Sequence, residues 1–147
     1  VEDIAQLVMF LQKDYISDLN LADCTESVNS VLTKREVHNA IITGIQLDIL
    51  AEKKKLMSPL QHIIEDDEGL YGIDEILALS IVNVYGTIGF TNYGYIDKVK
   101  PGILKELNSH DGVHVHTFLD DIVGAIAAAA ASRLAHKEPE KRSRLTQ

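Results

Sequence analysis

The stretch that decides the fold is Phe118-Leu119-Asp120-Asp121-Ile122-Val123-Gly124-Ala125-Ile126-Ala127-Ala128-Ala129-Ala130-Ala131-Ser132-Arg133-Leu134-Ala135-His136. It reads as one helix from Phe118 to about His136, rich in good helix formers and free of proline. The consecutive alanines Ala127 to Ala131 present so little side chain that a neighbouring helix can come close. Such a helix is either central to a bundle or part of a subunit interface. Its uncharged run, Ile122 to Ser132, is well short of the roughly 20 residues a membrane span needs.

Upstream, the other segments also read as helices. Ile4, Leu7, Val8 and Leu11 recur at i, i+3, i+4 and i+7, one amphipathic face. A polar break at Ser17 to Asn20 precedes Asp23-Cys24-Thr25-Glu26, which offers a cap for a short helix carrying Val28, Val31 and Leu32. Thr33 and Glu36 have capping-box spacing and open a helix to about Leu56. Its stripe is Val37, Ala40, Ile41, Gly44, Ile45, Leu47 and Asp48, and Lys53 to Lys55 close it as cations at a helix C-terminus. Ser58-Pro59 starts a short element through Ile64, and Glu65 to Gly69 form an acidic loop. Ile73 to Val84 is apolar nearly all round, as a central helix would be. Leu79 to Tyr85 admits a strand reading, but length and leucine and alanine content favour helix. Gly86, Gly89 and Gly94 predict a glycine-rich turn over Tyr85 to Tyr95, and Pro101 suits the first turn of a helix through Leu107. The expected fold is all-α: a single multihelical domain over residues 1–137 with central apolar helices, and a charged, disordered tail at 138–147.

Composition narrows the function. A net charge of −8 argues against nucleic-acid binding, which rewards clustered lysine and arginine. The single cysteine, Cys24, has no internal partner, which fits a reducing compartment and a small apolar role. No signal-peptide order and no membrane span are evident, so a cytoplasmic protein is expected.

Acidic pairs open the two most apolar helices: Asp74 and Glu75 on one, Asp120 and Asp121 on the other. Asp97 lies between, three residues before Lys100. One carboxylate at a helix start is explained by the free N–H groups there. A second, pointing about 100° away, should face the interior. Interior carboxylates from two helices repel unless a cation separates them, and oxygen-only ligands select magnesium or calcium. His114 and His116, with His110 nearby, have a zinc-like alternation, but no cysteine joins them; a plain polar loop explains them better. His110 and His116 are also candidates for a general acid or phosphate contact. Thr91 and Asn92 are candidates to line a site, and a surface turn accounts for them equally well. Glu65 and Glu68 have the spacing used by all-α nucleotide pyrophosphohydrolases, although their surroundings read as a loop.

Gly69-Leu70-Tyr71-Gly72-Ile73-Asp74-Glu75, then Asp97-Lys98-Val99-Lys100-Pro101, then Leu119-Asp120-Asp121-Ile122-Val123-Gly124-Ala125 together resemble the phosphatidylglycerophosphatase A family. That family shows an Asp-Glu pair, Asp-x-x-Lys-Pro and Asp-Asp-x-Val-x-(Ala/Gly) in this order. The residues before Gly69 resemble its soluble Bacillus-type subgroup, which lacks transmembrane helices and is related to low-temperature-requirement proteins. The resemblance implies a magnesium-dependent phosphatase acting on a phosphate monoester, phosphatidylglycerophosphate or a soluble analogue, at the inner face of the membrane. It implies Asp74, Asp97, Lys100, Asp120 and Asp121 as catalytic, and Asp74, Glu75, Asp120 and Asp121 as magnesium ligands. Lys100, with Asn92 and His116, would contact substrate, and either a water or a carboxylate would be the nucleophile. The chain departs from membrane-bound members in lacking their spans and their Pro-Gly-Thr-x-Gly-Ser motif. Gly94 stands where they often carry arginine, and His114 to Thr117 replaces a glycine-rich run. The rival readings are an all-α nucleotide phosphohydrolase and a non-catalytic helical binding domain. A homo-oligomer is expected, with the alanine run as its interface.

Overall fold

Eight α-helices and one 3-10 turn, with no strand among the described residues, wrap around the alanine-rich segment. The computed structural model describes residues 1–109 and 111–145, with side chains described through residue 137. The helices are α1 (Glu2–Gln12), α2 (Leu21–Leu32), α3 (Arg35–Glu52), α4 (Leu60–Glu65), α5 (Ile73–Val82), α6 (Thr87–Val99), α7 (Ile103–Leu107) and α8 (Leu119–Leu145).

The axis of the fold is α8, on which α1, α2, α3, α5, α6 and α7 all pack. Ala125 and Ala127 to Ala131 are fully buried. Because each removes only a methyl group from water, their contribution is close approach rather than bulk; the bulk comes from Val8, Val28, Ile81, Ile96 and Leu104 on the surrounding helices. At Gly44, α3 comes so near that an added Cβ would lie 2.4 Å from Ile122 Cδ1 and 3.0 Å from Phe118 Cβ. Buried hydroxyls tie the layers together: Ser27 donates to the Ala130 carbonyl at 2.8 Å and Ser132 to that of Tyr85 at 3.1 Å. Since the alanine run is spent inside the chain, it is not a surface for subunit contact.

The helical reading holds, and several local expectations change. Asn20, not residues 23–26, caps α2, its side chain accepting the Asp23 N–H at 3.0 Å. The capping box does not form: Thr33 ends α2 and donates back to the Ser30 carbonyl at 2.8 Å, so α3 starts one residue beyond Lys34. Lys53 to Lys55 lie past α3, whose exit is a left-handed Lys54 (φ 55°) paired with Glu65. The glycine-rich turn shrinks to Gly86, because α6 runs through Gly89 and Gly94. Gly89 serves packing: a Cβ there would lie 2.9 Å from Val82 Cγ1 and 3.2 Å from its carbonyl oxygen. Pro101 stands before α7, whose N-cap is Gly102. Nor is α5 a central helix; one side is buried through Ala78, Ile81 and Val82, while Ile73 and Ile76 face outward. The expected tail at 138–147 falls on residues whose side chains lie outside the described ones; the backbone of α8 continues to Leu145.

Candidate acidic site

Three helix ends meet at one corner of the fold: the N-termini of α5 and α8 and the C-terminus of α6. They bring Asp97 and Asp120 onto the ammonium of Lys100, with Asp121 and Asp74 close enough to feel the charge of Asp120. The antiparallel packing of α6 on α8 makes this happen, since Ser132 reaches Tyr85 at one end and Lys100 reaches Asp120 at the other. Lys100 ends α6 in a left-handed conformation (φ 47°, ψ 53°), an unfavourable backbone for a residue with a Cβ. From there Nζ donates to Asp97 Oδ1 at 2.6 Å and to Asp120 Oδ2 at 2.9 Å. The other oxygen of Asp120 accepts the Asp121 N–H at 2.9 Å.

Asp74, Asp120 and Asp121 are all buried, and Asp74 Oδ1 has no hydrogen-bond partner. The electrostatics follow. Burial first, then Asp120 and Asp97, pushes Asp74 above the ordinary carboxylate range. Burial first, then Asp120, pushes Asp121 up to about 8, with Lys100 opposing. Burial works against the charge of Lys100, but its bonds to Asp97 and Asp120 outweigh it and hold the ammonium above its usual value. Of the four acids, Asp97 and Asp120 share the Lys100 ammonium, and the group is strongly negative whenever all four ionise.

A fifth acid escaped the sequence reading of the site. Asp48 of α3 accepts the backbone N–H of Phe118 at 3.0 Å and of Leu119 at 2.9 Å. It caps α8 from another helix and fixes the turn that carries Asp120 and Asp121. Burial pushes Asp48 up to about 7, the two N–H groups pull it back, and Asp120 and Asp67 add to the rise. Its one sequence signal was a charge on the apolar stripe of α3.

The remaining candidates are less central. Glu75 is exposed on the outer side of its turn, its charge still felt at Tyr93. Asn92 is half-buried on α6, with a buried amide nitrogen that has no partner. His116 Nδ1 donates to the Leu107 carbonyl oxygen at 3.2 Å. It stacks on His114 and lines a narrow cleft with Glu65, Asp67, Thr117 and Asp120. His110 lies outside the described residues. His62 is exposed, and His114 is engaged by Asp111 at 2.5 Å. Glu65 closes α4 and takes bonds from Gln61 and Lys54, whereas Glu68 sits in the following loop. The two glutamates share no helical face, which removes the geometric basis of the pyrophosphohydrolase reading.

As the side chains stand, no three acidic, histidine or cysteine groups among the described residues form a finished metal cage. The donor set nevertheless fits a hard divalent ion: carboxylate oxygens only, with one buried oxygen left unpartnered. No helix among the described residues is long and apolar enough to cross a membrane.

A family model described as phosphatidylglycerophosphatase A matches residues 2–136. The chain is 69% identical over 137 residues to the uncharacterized protein YutG of Bacillus subtilis, covering 93% of this chain and 82% of that one. Its fold is similar to the crystal structure of the low temperature requirement C protein from Listeria monocytogenes, with a TM-score of 0.91, 73% identity and coverage of 92% of this chain and 86% of the other. A protein of unknown function from Bacillus stearothermophilus is equally similar in fold, at TM-score 0.91 and 68% identity, over 93% of this chain and 85% of that one.

Proposed function

The chain belongs to the phosphatidylglycerophosphatase A family, and from that premise we propose that it is a magnesium-dependent phosphatase hydrolysing a phosphate monoester. The observation that carries this reading is the gathering of Asp74, Asp97, Asp120 and Asp121 within reach of one another's charge, with Lys100 bound to two of them and a buried carboxylate oxygen of Asp74 unpartnered. Buried like charges of this kind are costly unless a cation joins them. Asp74, Asp120 and Asp121, with Glu75 at the edge, would hold magnesium. When bound, the ion would neutralise phosphate oxygens and polarise an attacking water.

The chain's own groups supply the rest. Lys100, aimed by its left-handed backbone and steadied by Asp97, meets the phosphate with a fixed positive charge. His116 and Asn92 border the approach and orient the ester. Water attack with a cluster carboxylate taking the proton, and direct attack by a carboxylate, both fit these residues. Hydrolysis breaks the phosphorus–ester oxygen bond and releases the alcohol and inorganic phosphate.

A lipid ester is favoured over a soluble one by the apolar side chains around Asp74. Leu70 is 96% exposed, Ile76 64% and Ile73 50%. Such a rim suits a substrate anchored at the inner face of the membrane, met by peripheral contact. The test is phosphate release from phosphatidylglycerophosphate in mixed micelles, from nucleotides and from a chromogenic monoester, with magnesium or with chelator. Magnesium-dependent turnover of the lipid, abolished in Asp74→Asn and Asp120→Asn, is expected. No release from any substrate, with no magnesium-dependent rise in melting temperature, would leave a non-catalytic binding domain.

A further inference from the structure

Tyr93 is a buried phenol beside the acidic corner, and the function above does not use it. The side chain is 6% exposed and its hydroxyl is buried without a well-formed hydrogen bond. The ring packs on α8 at Gly124, where a Cβ would lie at ordinary contact distance, 3.7 Å from Tyr93 Cε2. That contact is one turn beyond Asp121, on the same face of the helix. The charges of Asp121, Asp97 and Glu75 all reach this phenol, that of Asp121 most strongly. Phenylalanine would fill the same space without leaving a polar atom unpaired, and an unmade hydrogen bond on a buried hydroxyl is destabilising. A hydroxyl kept here is explained by what it does to its neighbour.

We propose that Tyr93 is a positioning residue: when a divalent cation binds, its buried, unpartnered hydroxyl takes Asp121 as acceptor and so sets which carboxylate oxygen Asp121 turns toward the ion. This rests on the reading of the corner as a divalent-cation site. An acid with a donor on one oxygen presents the other in a single orientation, the usual role of groups that stand behind a metal ligand. Tyr93 touches neither metal nor substrate, so its removal weakens the metal's hold more than it slows turnover once metal is saturating.

The experiment uses the full chain and Mn2+ alone, titrated by the electron paramagnetic resonance of the free ion, for wild type, Tyr93→Phe, Asp121→Asn and the double variant. Tyr93→Phe should bind Mn2+ roughly 10- to 100-fold more weakly, with an unchanged or higher melting temperature in chelator. In the Asp121→Asn background the same change should have no further effect on affinity. Magnesium dependence of turnover should shift by the same factor, with kcat at saturating metal nearly kept. Wild-type affinity in Tyr93→Phe overturns the proposal while leaving the site intact. An equal loss in both backgrounds overturns the route through Asp121, and a melting temperature that falls with the affinity makes Tyr93 a packing residue. Failure of the wild type itself to bind Mn2+ removes the site, and the proposal with it.

Discussion

Replacing Asp121 by asparagine should stabilise the metal-free protein at alkaline pH while destroying the site. In the folded chain Asp121 titrates near 8 instead of 3.8, chiefly because it is buried and secondly because Asp120 is adjacent. An acid whose folded value is raised binds its proton more tightly folded than unfolded. Its contribution is therefore fully present below the unfolded value and is lost as pH rises from about 4 through about 8. At about 1.4 kcal/mol per pH unit, roughly 6 kcal/mol disappears over that window. Asparagine has the same shape and no charge, so Asp121→Asn should exceed wild type by about 2 kcal/mol at pH 5 and by about 5 to 6 kcal/mol at pH 8.5. Urea unfolding in chelator at the two pH values measures this directly. Magnesium should then stabilise wild type and not the variant, because only wild type gains from a cation among its acids. A difference between variant and wild type that is the same at both pH values would refute the reasoning, since it would mean that Asp121 carries no buried charge to relieve.

Lys100→Met should reduce phosphatase turnover by at least ~100-fold, as loss of a preorganised charge does, and should lower the melting temperature in chelator at pH 8, where Asp97 and Asp120 lose their shared partner; steady-state kinetics and calorimetry check both. Asp48→Ala should cost about 2 kcal/mol of unfolding free energy by chemical denaturation, because two backbone N–H groups at the start of α8 lose their acceptor. Gly44→Ala should destabilise by about 1–3 kcal/mol through overpacking against Ile122 and Phe118, also read by denaturation.

The all-helical architecture and the centrality of Phe118 to His136 were legible in the sequence. Helix type and burial are written in each segment's own periodicity, and an alanine run makes sense only where helices crowd together. The acid pairs were legible too, because two carboxylates at one helix start exceed what capping uses. Other features depended on partners far along the chain. Gly89 looks like a turn former until Val82 is seen above it, and Thr33 looks like the first residue of α3 until its hydroxyl turns back to Ser30. Asp48 reads as a stray charge on an apolar stripe until Phe118 and Leu119 offer it their N–H groups, and Tyr93 falls within an expected glycine-rich turn until α6 carries its ring onto Gly124 of α8. A sequence carries the short-range terms, propensity and the pattern of apolar positions, whereas a carboxylate's charge state depends on which distant groups share its low-dielectric surroundings, and only packing decides that.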